Sequence, residues 1–114
     1  MKNTLGGLTL KKEPYEVMVT GEKKYEYRNN INYWTSRFYN KDGEVKKYIN
    51  FIEFCHGYKK DRPTFKVEFK GIEIVDEVNE YYSNGFIVKY PYKKNGYYKI
   101  SLGKIIEIKN IINF

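Results

Sequence analysis

Lys23, Glu26 and Arg28 bring an ammonium, a carboxylate and a guanidinium into one short segment, Gly21-Glu22-Lys23-Lys24-Tyr25-Glu26-Tyr27-Arg28. Arg28 offers a planar fork that matches a phosphate or a base edge, while Lys23 and its neighbour Lys24 offer point charges. Glu26 can orient either cation, accept a hydrogen bond from a ligand amino group, or serve as a general base. Residues two apart on a strand share a face, so Glu26 and Arg28 fall within reach of an ion pair. On an open surface such a pair is worth only ~0–1 kcal/mol, so the same residues also read as an ordinary surface contact.

Two further sets carry chemistry. Trp34 and Arg37 are i, i+3 neighbours on a helical pattern, where an exposed indole beside a guanidinium would stack a nucleobase for ~1–3 kcal/mol. The bland reading of the pair is a core tryptophan flanked by a solvated arginine. Tyr58 stands in a basic, turn-rich loop with Lys59, Lys60 and Arg62, and a tyrosine so placed suits stacking on single-stranded RNA. Cys55-His56 resembles a nucleophile and its base, but adjacent strand residues point to opposite faces and do not form that pair. One Cys and one His show no zinc-ligand spacing, and neither a glycine-rich phosphate loop nor a serine elbow is present. No metal and no cofactor is expected.

The elements that position these residues follow from periodicity. Pro14 suits a first helical turn, and Tyr15, Met18 and Val19 recur as one apolar helical face. Gly21 is placed to stop that helix in the left-handed conformation, and the alternating strand Lys24–Arg28 follows. Before it, Met1 to Gly7 reads as a disordered or extended start and Leu8-Thr9-Leu10 as a short buried strand. Ile31 to Tyr39 reads as a second helix and Asn40 to Gly43 as a turn. Tyr48–Cys55, apolar on both faces, reads as a central strand. Thr64–Val75 alternates cleanly until Gly71, where the phase flips as at a bulge. Val78 to Gly85 reads as a polar connection and Phe86–Tyr92 as an edge strand broken by Pro91. Lys94-Asn95-Gly96 reads as a hairpin turn leading to strands Tyr97–Leu102 and Lys104–Lys109, with Gly103 as a bulge or turn between them.

The chain has 114 residues, near the common size of one domain, with no repeat and no linker. Thirteen tyrosines dominate the 18% aromatic content, suiting a small barrel whose thin walls bury rings and leave hydroxyls wet. The net charge of +7 favours polyanionic partners, although lysine-rich composition also arises in AT-rich genomes. The basic pairs fall at expected turns and would form one rim only if the barrel gathers those ends. The lone Cys55 fits a reducing compartment, and no signal peptide or membrane-spanning run is visible, so a cytoplasmic protein with no membrane partner is expected. The apolar end, Ile105, Ile106, Ile108, Ile111, Ile112 and Phe114, reads as a barrel cap or a dimer edge, hence a monomer or weak homodimer.

The spaced set Gly21-x-Lys23-x-x-Glu26-x-Arg28, after a Leu-x-Leu strand and an apolar helix, resembles the ASCH domain of the PUA-like superfamily. The likeness continues through Trp34-Thr35-Ser36-Arg37-Phe38 and Phe54-Cys55-His56-Gly57-Tyr58 to Leu102-Gly103-Lys104-Ile105-Ile106, and so covers nearly the whole chain. The combination resembles the small ASCH proteins common in bacteriophages and gut bacteria. The resemblance implies an α+β, mainly β fold: a small PUA-like β-barrel of about six strands with two short helices, one domain over residues 1–114. It also implies nucleic-acid binding, to RNA or a nucleotide-containing ligand, with Lys23, Lys24, Glu26, Arg28, Arg37 and Tyr58 as ligand-binding residues. Some ASCH proteins are ribonucleases and others hydrolyse acetylated cytidine, using a lysine at the Lys23 position to activate a threonine. Here Glu26 stands in the threonine's place, so acetylcytidine hydrolysis is not expected. If the chain is an enzyme, a ribonuclease or modified-nucleoside hydrolase, Lys23 and Glu26 are its catalytic residues. A phage or mobile-element protein that binds a host factor is the third reading.

Overall fold

The computed structural model describes residues 3–57 and 61–109. Its elements are β1 (Thr4–Leu10), α1 (Lys12–Val19), β2 (Tyr25–Asn29), α2 (Asn32–Phe38), β3 (Phe51–His56), β4 (Thr64–Val75), β5 (Val78–Tyr81), β6 (Ile87–Tyr90) and β7 (Tyr97–Lys109). The fold is α+β and mainly β. Five strands form one sheet in the order β1-β3-β4-β7-β2, and β5 pairs with β6 separately. Among the described residues, only β1 and β3 run parallel; the other neighbours are antiparallel. The large sheet is curled into a half-barrel. Among the described residues no helix is long and apolar enough to cross a membrane.

The curl comes from the two longest strands. In β4, Phe65 and Val67 are buried while Lys66 and Glu68 face away, the alternation of a half-buried strand. The β4–β7 register then shifts between Lys66 and Val67, between Val67 and Phe69, and again between Phe69 and Gly71. Each shift bends the strands and raises their twist. Gly71 has a φ of 138°, and beyond it Ile72 packs on the core while Ile74 is exposed. The main core gathers Leu8, Tyr15, Met18, Phe38, Ile52, Phe54, Phe65 and Ile100, so both helices and the curled sheet bury their apolar faces together.

A second, smaller core decides where the site lies. Tyr27, Val78, Val88 and Tyr97 pack together, holding the β5–β6 ribbon against β2 and the start of β7. Glu80 reinforces this join: Tyr27 Oη donates to its Oε2 at 2.5 Å, and the Tyr82 hydroxyl donates to Oε1. Burial first, and then the carboxylate beside them, push both phenols far above their ordinary value, so both stay protonated donors.

Several sequence expectations are corrected here. The first strand begins at Thr4, because Leu5 is buried and pairs with Ile52; the extended start is therefore a sheet edge. Val78–Tyr81 is a strand, since its partner Ile87–Tyr90 lies across a tight connection. Lys94 to Gly96 does turn, with Gly96 N–H donating to the Lys93 carbonyl at 2.9 Å, but it joins β6 to a strand of the other sheet. A side chain at Gly96 would meet the Val75 carbonyl at 2.5 Å, which is why this turn takes glycine. Gly103 is no turn, since β7 runs unbroken from Tyr97 to Lys109, but the register shifts across it, between the Phe69–Leu102 and Val67–Ile105 pairs, as at a bulge.

Candidate functional site

Lys23 is placed by the end of α1. Gly21 takes φ 89° and its N–H donates to the Met18 carbonyl, which stops the helix. The chain then folds back, and Lys23 N–H donates to the Val17 carbonyl at 2.8 Å. Leu102 N–H donates to the Lys24 carbonyl and starts the pairing that leads into β2 and β7. Lys23 is thereby held under the helix end, with 1% of its side chain exposed.

β2 is exposed at its ends, Tyr25 and Asn29, and buried at its middle, Glu26 and Tyr27, so its carboxylate is no surface residue. Tyr27 enters the second core from one face, while Glu26 on the other keeps 8% of its side chain exposed. Lys23 Nζ donates to Glu26 Oε1 at 3.3 Å and to the Tyr25 carbonyl, and it lies over the rings of Tyr27 and Tyr82. Tyr27 N–H donates to the same Oε1 at 2.9 Å. Arg28 Nη1 donates to Glu26 Oε2 at 2.7 Å and to the Tyr27 carbonyl at 3.0 Å. Burial alone would push the Glu26 carboxyl up; Arg28, then Lys23 and the Tyr27 N–H outweigh it and hold the group below the usual carboxylate range. Glu26 is therefore ionised and a weak base.

Glu26 and Arg28 line a cavity of about 320 Å3 between the β1–α1 junction and the ribbon. Leu10, Pro14, Phe86, Ile87 and Val88 supply apolar walls, and Tyr90 stands at its edge. Apolar walls with a few convergent polar groups are the usual make-up of a small-ligand site, and this volume lies at the small end of that class. Arg28 keeps 18% of its side chain exposed, and its guanidinium carbon sits 5.2 Å from the centre of the Trp34 ring. The Tyr90 hydroxyl is pushed up first by burial and then by the Glu26 charge.

The structure brings some of the expected site residues together and separates others. Lys23, Glu26 and Arg28 form one buried cluster, but only Glu26 and Arg28 line the cavity, and Lys23 lies behind them. Lys24 is exposed and borders a different cavity with Gly21, Gly103 and Lys104. Arg37 is tied into the scaffold: it donates to the Gly6 carbonyl and to Tyr33 Oη, and its guanidinium crowds Gly7, where a side chain would meet Nη2 at 3.1 Å. Trp34 is half-buried against the main core with two guanidinium groups over its ring, so its faces serve Arg28 and Arg37. Tyr58, with Lys59 and Lys60, lies outside the described residues, as do Ile111, Ile112 and Phe114. Cys55 and His56 are engaged separately, the thiol near the Leu8 carbonyl and Thr9 hydroxyl and the imidazole Nδ1 with the Leu10 carbonyl.

Sequence reasoning missed the ribbon's part in the site. Phe86, Val88 and Tyr90 read as a strand of the barrel, and Glu80 as part of a connection. The one available signal was Tyr90 before Pro91, which marks a strand end free of ladder bonds. No family model, curated protein or solved structure matches the chain.

Proposed function

We propose that this chain is a nucleic-acid recognition module of the ASCH type, a small PUA-like barrel that takes a base of single-stranded RNA, or of a nucleotide-containing ligand, into the Glu26–Arg28 cavity. The observation that carries the reading is a buried, ionised carboxylate at the floor of an apolar-walled cavity, with a guanidinium beside it at 2.7 Å. Such a floor offers an acceptor next to a donor, and every nucleobase presents a donor next to an acceptor on an edge. Arg28 also supplies the charge that a sugar-phosphate backbone requires, and the net charge of +7 draws a polyanion in from a distance.

The same geometry favours recognition over catalysis. Lys23 is enclosed and committed to Glu26 and the Tyr25 carbonyl, so it does not reach a substrate. A carboxyl held below its ordinary range takes a proton poorly, which disfavours Glu26 as a general base.

A panel of short labelled oligonucleotides, single- and double-stranded RNA and DNA, tests the reading at rising salt. Single-stranded RNA is expected to bind and stay intact, with log affinity falling in log salt at ~0.7 per phosphate neutralised. Absence of binding at ~50 mM salt, where counterion release favours it most, contradicts the proposal. RNA cleavage that disappears in Lys23→Ala with the fold intact would make the chain an enzyme instead.

A further inference from the structure

We propose, resting on the nucleic-acid reading above, that the site takes two successive nucleotides, one base in each of two adjoining cavities, with the linking phosphate at Arg28. The cavity floored by Glu26 does not end at Arg28 and Tyr90. Both residues also line a second cavity of about 200 Å3, completed by Tyr27, Asn29, Trp34 and Tyr97. The two compartments differ in chemistry. The first has mixed walls, Leu10, Pro14, Ile87 and Val88 with the Phe86 ring, a carboxylate acceptor and Lys11 at its lining; the second is lined by four aromatic rings and one amide beside the shared Arg28.

The partition between them is cationic and aromatic. Arg28 uses Nη1 on Glu26 and the Tyr27 carbonyl, while Nη2 reaches the Thr9 carbonyl only at 3.5 Å, so that nitrogen keeps donor capacity. Tyr90 covers one face on Tyr97, with ring centres 5.1 Å apart and 27° between planes, yet stays 37% exposed. A half-covered tyrosine is a platform on which a base stacks, and successive bases on successive aromatic rings are the way single strands are held without a duplex. A ligand that fills both compartments must place a small linker past Arg28, and a phosphodiester is the linker whose charge that guanidinium matches.

A further cation marks the outer rim. Lys93 Nζ donates to Asn29 Oδ1 at 3.4 Å and lies 5.5 Å from the centre of the Tyr97 ring, touching two residues of the second compartment. It stands where a phosphate on the far side of the second nucleotide would lie. Three cations spaced along two compartments, Lys11, Arg28 and Lys93, fit a strand better than a lone nucleoside, which would leave Lys93 unused.

Isothermal titration of the intact chain with the four ribonucleoside monophosphates and the matching 5′-phosphorylated dinucleotides tests this. At least one dinucleotide is expected to bind about tenfold tighter than its mononucleotide, with a salt slope steeper by ~0.7 for the added phosphate. In Lys93→Ala the dinucleotide advantage is expected to shrink to about threefold, a loss in the range of one weakened charge-assisted contact, and Asn29→Ala provides a second variant at the same rim. Mononucleotide binding with no gain for any dinucleotide overturns the two-nucleotide site and leaves the proposed function standing. Equal losses for both ligand lengths in both variants overturn the placement of the second nucleotide. No binding of any of these ligands, together with no binding of longer single strands, overturns both readings.

Discussion

Replacing Glu26 by glutamine is expected to destabilise the fold by about 3–5 kcal/mol, the usual consequence of removing one partner of a buried ion pair. Glu26 is the carboxylate bonded to both Lys23 and Arg28, and Lys23 has 1% of its side chain exposed. Without the carboxylate charge, an ammonium is left in the interior with neutral partners alone, the glutamine amide oxygen, a backbone carbonyl and two ring faces. Arg28 suffers less, because part of its guanidinium reaches water. Chemical denaturation should therefore show a lower midpoint at unchanged slope. Lys23→Met in the Glu26→Gln background should restore a large part of the loss, since a neutral, well-packed pair no longer buries a charge. Additive rather than compensating effects would contradict the buried-pair account.

The pH dependence of that difference has a definite sign. Glu26 ionises in the folded state below its ordinary value of 4.5, despite burial, because Arg28 and Lys23 outweigh the desolvation. Its contribution to stability is therefore complete above the ordinary carboxylate range and is lost as pH falls through the depressed folded value. Glu22 and Glu68, also held low, by hydrogen bonds to Ser83 and to the Lys104 N–H respectively, add acid sensitivity of the same sign. The diagnostic quantity is thus the wild-type curve minus the Glu26→Gln curve, which should narrow on acidification below pH 4.5.

Arg28→Ala carries the second large effect, on affinity, beside a loss of stability from the uncovered Glu26 carboxylate. A hydrogen bond to a charged group is worth ~1.5–3 kcal/mol, so single-stranded RNA should bind about 10–150-fold more weakly. Its salt slope should fall by ~0.7 if the guanidinium meets one phosphate. Folding should weaken as well, because Glu26 loses the charge that most offsets its burial and keeps only Lys23 and the Tyr27 N–H, so affinity is read where the variant is folded. Trp34 also loses a cation–π contact worth ~0.5–1 kcal/mol. Arg28→Lys keeps the charge without the fork and should bind with intermediate affinity. Wild-type affinity and slope in Arg28→Ala would place the ligand elsewhere.

Much of this frame was legible in local pattern. Pro14, the Tyr15–Met18 face and Gly21 specify a helix and its stop, and the structure places α1 and its left-handed glycine there. The alternation of Phe65 and Val67 and the break at Gly71 specify a bent strand. What could not be read were the pairings between distant segments. A hairpin at Asn95-Gly96 is the natural reading of that dipeptide, yet β6 pairs backward with β5 because Val78 and Val88 share a core with Tyr27. That tertiary choice also creates the site. It sets Phe86, Val88 and Tyr90 across a cavity from Glu26 and Arg28, which spacing alone left as a surface pair, and it brings Tyr90 to Arg28 from a segment far along the chain. Period-two alternation tells which residues share a face; it does not tell which second layer will cover it.

Chemical-shift mapping with a short single-stranded RNA at ~50 mM salt, where the electrostatic contribution is strong, tests the central claim most directly. The amides of residues 26–29 and 86–90 and the Arg28 Nε–H resonance should move together and saturate at one concentration. Shifts confined to other surfaces, such as the Lys24–Lys104 cavity, or no shifts at all, would contradict the assignment of this cleft as the ligand site.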